Sequence, residues 1–209
     1  MHSRSAGDTL AFVETSAIIN YAKVDVYSSL YPQRIPNRAA IIRNFLQHAI
    51  RNQWKLKTSK KVIGQLAFHR DMIEKELLMK KIPPAKVLKL VEVATKAIRG
   101  FLEKNVETKD VDGSDLFVKV NGFFERYKED QRMLDVADMK EEKKGGITSS
   151  LPEQSDMRIF ADALMIPSEY FITTDNHFCL EAELKAEFNI VIISHLNANR
   201  KMEDFGWDG

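Results

Sequence analysis

Leu10-Ala11-Phe12-Val13 is an unbroken apolar run that stops at Glu14 and resumes, after Thr15 and Ser16, at Ala17-Ile18-Ile19. A short continuous apolar run reads as a strand buried on both faces. The hydroxyl pair reads as the N-cap of a helix through Ala17, Ile18 and Tyr21. Tyr170-Phe171-Ile172-Thr173-Thr174, ending at Asp175, and Ile190-Val191-Ile192-Ile193 predict two further strands, and the alternating Trp54-Lys55-Leu56-Lys57-Thr58 predicts another. Between them the apolar period changes to that of a helix. One stripe begins at Asn37 and runs to Arg51 through Ala40, Ile41, Phe45, Ala49 and Ile50; a second begins at Ser59 and carries Val62, Ile63, Leu66 and Ile73. Pro83-Pro84 closes that helix and opens the next, where Val87, Leu88, Val91, Ala94, Ile98 and Leu102 align. Ser114 then caps a long helix through Val120, Phe123, Phe124, Tyr127 and Leu134 toward Glu142, and helices follow over 156–165 and 179–188. Strands alternating with helices at both ends of the chain predict an α/β fold, a parallel sheet flanked by helices.

The 209 residues suit one domain spanning 1–209. Within it, residues 82–145 read as a helical insertion, two long amphipathic helices joined by a short polar loop and paired antiparallel. Their apolar stripes offer a surface to a protein partner. Lys143 to Ser155, with Gly145-Gly146 and Pro152, reads as the flexible segment, and the tail from Lys201 carries Phe205 and Trp207.

The hydrophobic fraction of 44% is ample for a core, and no apolar run approaches the roughly 20 residues that span a bilayer. The N-terminal residues lack the apolar stretch of a secretory signal, and the lone Cys179 excludes an internal disulfide and a multi-cysteine zinc site. An intracellular, cytoplasmic protein is expected. The net charge of +1 hides an asymmetry: from Val26 to Arg70 there is no Asp or Glu. That span carries Arg34, Arg38, Arg43, Arg51, Lys55, Lys57, Lys60, Lys61 and Arg70. An acid-free basic stretch points to contact with nucleic acid, and the first eight are the expected backbone contacts. The other reading is a solvated face that pairs with acids elsewhere.

Glu14 and Asp175 each end a strand, and Asp156 opens the helix that leads into the strand of Asp175. Carboxyl ends of parallel strands share one edge, where open α/β sheets bind ligands. Glu14 taken alone reads equally as a helix-capping carboxylate. Three acids gathered there repel one another unless a cation lies among them. Oxygen ligands without His or Cys suit Mg²⁺ or Mn²⁺ rather than zinc. Beside a basic face, such a site suggests phosphodiester cleavage by metal-activated water. His177 is placed to act as a base but is more simply structural, and Asp162 is read as structural or exposed. Neither a Gly-x-Ser-x-Gly elbow, a phosphate-cradling Gly-Lys-Ser/Thr loop nor a dinucleotide glycine fingerprint is present.

Phe12-Val13-Glu14-Thr15-Ser16 resembles the opening motif of the PIN-domain superfamily, which includes VapC-type toxin ribonucleases. Asp156-Met157-Arg158-Ile159-Phe160-Ala161-Asp162-Ala163 is similar to that family's central helix, and Phe171-Ile172-Thr173-Thr174-Asp175-Asn176-His177-Phe178 to its strand-Thr-x-Asp-x-x-Phe motif. The likeness covers about residues 9–66 and 155–194. It implies a parallel-sheet fold, a Mg²⁺ or Mn²⁺ site, endoribonuclease activity, homodimers, and an antitoxin or ribonucleoprotein as partner. By position it makes Asp156 and Asp175 metal ligands and catalytic residues, puts Glu14 in the place of the family's first Asp, and makes Ser16 and Thr174 flanking hydroxyls.

The chain departs from the pattern twice. Glu14 is a methylene longer than the family's Asp, and Ser59-Lys60-Lys61-Val62-Ile63-Gly64-Gln65-Leu66 puts neutral Gln65 where the family has its second acid. Glu76, eleven residues further on, is the candidate substitute, with Asp71 and Glu74 as weaker ones. Two other functions therefore stand beside the nuclease: a PIN-like module that binds RNA or a ribonucleoprotein without turnover, and an α/β scaffold for protein interaction.

Overall fold

The computed structural model describes residues 9–207 apart from 32, 34 and 145–149, with only the backbone of 140–144. Arg34 and the Gly145-Gly146 centre of the expected flexible segment lie outside the described residues. The sheet has five strands, all parallel, in the order β3-β2-β1-β4-β5: β1 Leu10–Val13, β2 Lys55–Ser59, β3 Val106–Lys109, β4 Tyr170–Ile172 and β5 Val191–Ile193. The apolar run of β1 is central because it pairs on both edges, Phe12 opposite Lys57 of β2 and Phe171 of β4. Its residues Ala11, Phe12 and Val13 are fully buried.

Helices cover the sheet. After β1 come α1 (Thr15–Leu30) and α2 (Asn37–Arg51). Between β2 and β3 lie α3 (Lys60–Leu66), α4 (His69–Met79) and α5 (Pro84–Asn105). The single helix expected from Ser59 onward is thus broken, at Ala67 and Phe68. Pro84 starts α5, and its stripe of Val87, Leu90, Val91, Ala94, Ile98 and Phe101 is buried, packing along α1 with Tyr21 and Phe101 rings 4.4 Å apart. Between β3 and β4 lie α6 (Ser114–Arg126), α7 (Gln131–Lys144) and α8 (Gln154–Met165), with α6 against α8. Phe160 of α8 meets the ring of Phe171 edge-on, and Phe171 stacks on Phe12, so this face of the sheet is sealed by phenylalanines. A short 3₁₀ turn (Asn176–Phe178), α9 (Glu181–Phe188) and α10 (Ala198–Asp204) complete the chain.

Three readings differ inside 82–145. The segment holds a strand, β3, which pairs in parallel with β2 through Leu56–Val106 to Ser59–Lys109. Its first helix packs on α1 as part of the crossover between β2 and β3, rather than antiparallel to its second. The long helix expected from Ser114 is two helices parted at Tyr127–Asp130. Among the described residues no helix is long and apolar enough to cross a membrane. The tail is docked: Trp207 packs on Trp54 at 5.0 Å and lies flat against His48 at 6.0 Å.

Candidate functional site

The carboxyl ends of β1 and β4 lie side by side, and the segments leaving these two strands are stitched together by hydroxyl groups. Glu14 is the N-cap of α1, its carboxylate accepting from Ser16 N–H at 2.9 Å. The cap is therefore the acid and not the Thr15-Ser16 pair. The same Oε2 accepts from Ser16 Oγ and from Thr173 Oγ1 (3.0 Å). Thr174 N–H donates to Ser16 Oγ at 2.9 Å, and Asn20 Nδ2 donates to both Ser16 O (2.8 Å) and Thr174 Oγ1 (2.9 Å). Burial pushes the Glu14 carboxyl above its ordinary value; the donors of Ser16 and Thr173 pull it partly back, and the Asp175 charge adds to the rise.

Asp175 caps the 3₁₀ turn, accepting from His177 N–H at 3.1 Å, with His177 Nδ1 also 3.0 Å from its Oδ1. His177 is 1% exposed, so it meets Asp175 from the interior and is not presented to a substrate. Asp156 sits in the first turn of α8. A crossover helix runs antiparallel to the strands, so a helix entering β4 begins at their carboxyl edge. Glu14, Asp156 and Asp175, separated by up to 161 positions, accordingly line one cavity of about 330 Å³. A second cavity of about 340 Å³ shares Glu14, Ser16 and Asp156 with it and adds Gln65, Glu153 and the exposed ring of Phe68.

Gln65 is near the site but its carbonyl accepts from Thr15 Oγ1. Glu76 lines neither cavity. It takes Tyr27 Oη at 2.5 Å, Lys23 Nζ at 2.6 Å and Lys80 Nζ at 3.3 Å. Burial would raise its pKa, but Lys23, Tyr27 and Lys80 together hold it below its ordinary value. It lies outside both cavities, paired with Lys23, and so is not placed beside Gln65 as a substitute acid. Among the described residues no three His, Cys, Asp or Glu side chains gather closely enough to hold a metal ion. A three-carboxylate cage does not fit this site. Mg²⁺, however, keeps most of its water and is commonly held by one or two carboxylates together with substrate phosphates. Asp156 and Asp175 both line the first cavity, which is the number of carboxylates such a site needs.

The expected basic grip is rearranged. Because β3 lies against β2, its acids and those of the loop beyond it reach the lysines of the acid-free span. Lys57 pairs with Glu107, Lys60 with Asp110 (2.5 Å), and Lys61 with Asp112 (3.2 Å) and Asp162 (2.7 Å). Arg43 pairs with Asp25 at 2.5 Å and lies over the Tyr21 ring. Arg51 and Lys55 are exposed at the other end of β2 from the cavity. Of the eight cations expected to grip RNA, Arg38 reaches the cavity wall. Burial and then the Arg38 charge push nearby His195 down to about 4, leaving it neutral.

The sequence reading missed Thr173, Asn20 and Lys23. The last two were findable: Ser16, Ile19, Asn20 and Lys23 fall at i, i+3, i+4 and i+7 of α1, and all four line the cavity. Asp162 is structural, its fully buried carboxylate accepting from Gly113 N–H at 2.9 Å and from Lys61. No protein-family model matches the chain, and neither a curated protein nor a solved structure matches it.

Proposed function

We propose that this protein is a PIN-like, divalent-metal-dependent endoribonuclease whose reaction takes place in the carboxylate cavity. The observation that carries the reading is the convergence of Glu14, Asp156 and Asp175, from three separate elements, on one cavity at the carboxyl edge of a parallel sheet. Asp156 and Asp175 hold the Mg²⁺ or Mn²⁺ ion. Such an ion, when bound, supplies an acidified water and neutralises charge on the phosphate. The chain's own contribution is orientation. His177 fixes Asp175, while Ser16 and Thr173 fix Glu14, whose pKa burial raises.

Incubation with single-stranded and structured RNA, in Mn²⁺ or in EDTA, tests the reading. Cleavage is expected in Mn²⁺ alone, and Asp175→Asn is expected to lower it by more than the roughly 10–100-fold that a lost outer partner of a metal ligand costs. Equal cleavage by wild type and Asp175→Asn would overturn the assignment.

A second reading, RNA binding without turnover, is favoured by one specific feature. The Oε2 of Glu14 already accepts from three donors, and the Gln65 carbonyl is taken by Thr15. It predicts salt-sensitive binding with no metal-dependent product. Multiple turnover abolished in Asp156→Ala rules it out.

A further inference from the structure

A cavity that presents two aspartates repels a phosphodiester as surely as it attracts a cation. An RNA substrate therefore needs positive charge on the cavity wall as well. Lys23 and Arg38 supply it, since both line the cavity that Asp156 and Asp175 line. Lys23 is set there by the helical period of α1, two turns beyond Ser16 on the same face. It is also held: Glu76 of α4 lies 2.6 Å from its Nζ, and the lysine side chain is only 20% exposed.

That ion pair does not consume Lys23. Glu76 already accepts from Tyr27 Oη and faces Lys80 at 3.3 Å, so one carboxylate serves two ammonium groups and the cluster keeps a net positive charge. An ammonium has three N–H donors, and the contact with Glu76 engages one. We infer that Lys23, oriented by Glu76, is the cation that binds an RNA phosphate in the carboxylate cavity, with Arg38 as a second donor. Lys23 is thus a substrate-binding residue and Glu76 a positioning residue. The inference rests on the nuclease reading for the identity of the ligand, but binding alone can test it.

The experiment measures binding of a fluorescein-labelled single-stranded RNA by anisotropy in EDTA, across a range of KCl concentrations, for wild type, Lys23→Gln, Lys23→Arg and Glu76→Gln. Lys23→Gln is expected to weaken binding about ten-fold, the scale of one hydrogen bond to a charged group. Its slope of log affinity against log salt should shrink by about 0.7, the value for one phosphate contact on a single strand. Lys23→Arg restores both. Glu76→Gln removes a negative charge yet is expected to weaken binding, because the Lys23 ammonium is no longer held at the cavity. Thermal melts of the Lys23 variants confirm folding, and Arg38→Gln, away from the Glu76 cluster, provides the same slope test for the second donor. If wild type binds RNA and Lys23→Gln binds equally well with an unchanged slope, the inference is wrong and the nuclease reading stands. If RNA is bound through Lys23 but never cleaved in Mn²⁺, the hydrolytic reading fails and the inference holds. Absence of any RNA binding by wild type overturns both.

Discussion

Glu14 pays a desolvation cost that its partners only partly return. The folded chain raises its pKa above the ordinary 4.5, chiefly by burial. Between those two values the folded state holds a proton that the unfolded state has released. The stability this group contributes is therefore complete below 4.5 and is lost as pH rises through the folded value. Urea unfolding of wild type from about pH 4 to about pH 8 should show that decline, and Glu14→Gln, which can still accept through Oε1, should flatten it. Glu14, Asp156 and Asp175 were legible in the sequence because each adjoins an apolar run that marks a strand or helix end. Lys23 and Asn20 share the helical spacing of Ser16 but are easily passed over, since a polar residue in an amphipathic helix reads first as a solvated one. Only the approach of the segment after β4 turns that face of α1 inward.

β3 shows why an element can escape a reading based on hydrophobic period. Val106-Glu107-Thr108-Lys109 is short, half charged and at the sheet edge, where charges guard against further pairing. Its position decides the electrostatics of its neighbour: the acid-free span is acid-free along the chain and paired in space. The loop after β3 is tied down by Asp162 of α8, which accepts from Gly113 N–H and from Lys61. Gly113 is needed there for closeness, not for an unusual backbone angle. A Cβ on it would fall within 3.0 Å of the Ala161–Asp162 peptide, backbone that cannot move aside as a side chain could. Gly113→Ala should cost about 1–3 kcal/mol, read from the urea midpoint at constant m-value.

At the scale of the molecule, the two edges of the sheet do different work. The carboxyl edge carries the cavity; the amino edge is closed by Trp54, Tyr170, Phe205 and Trp207, whose rings contact one another with centroids between 4.7 and 5.7 Å apart. The docked tail thus acts as a clasp over the starts of β2 and β4. Trp207→Ala should lower stability by about 2 kcal/mol, less than a fully buried Trp because the residue is partly exposed, and alter the near-UV circular dichroism of Trp54. The proposed RNA binding at the opposite edge should remain as in wild type. The α/β class of the fold and the three acids that line the candidate site were legible along the chain, because strand runs, helical stripes and the residues that end them are local patterns. Tertiary structure alone decided which charges meet: Glu107, Asp110 and Asp112 against the lysines of β2 and α3, Glu76 against Lys23, Thr173 against Glu14. Each of those partnerships joins elements far apart in the chain. Electrostatic energy depends on distance in space, which residue spacing does not encode until the strand order β3-β2-β1-β4-β5 is known.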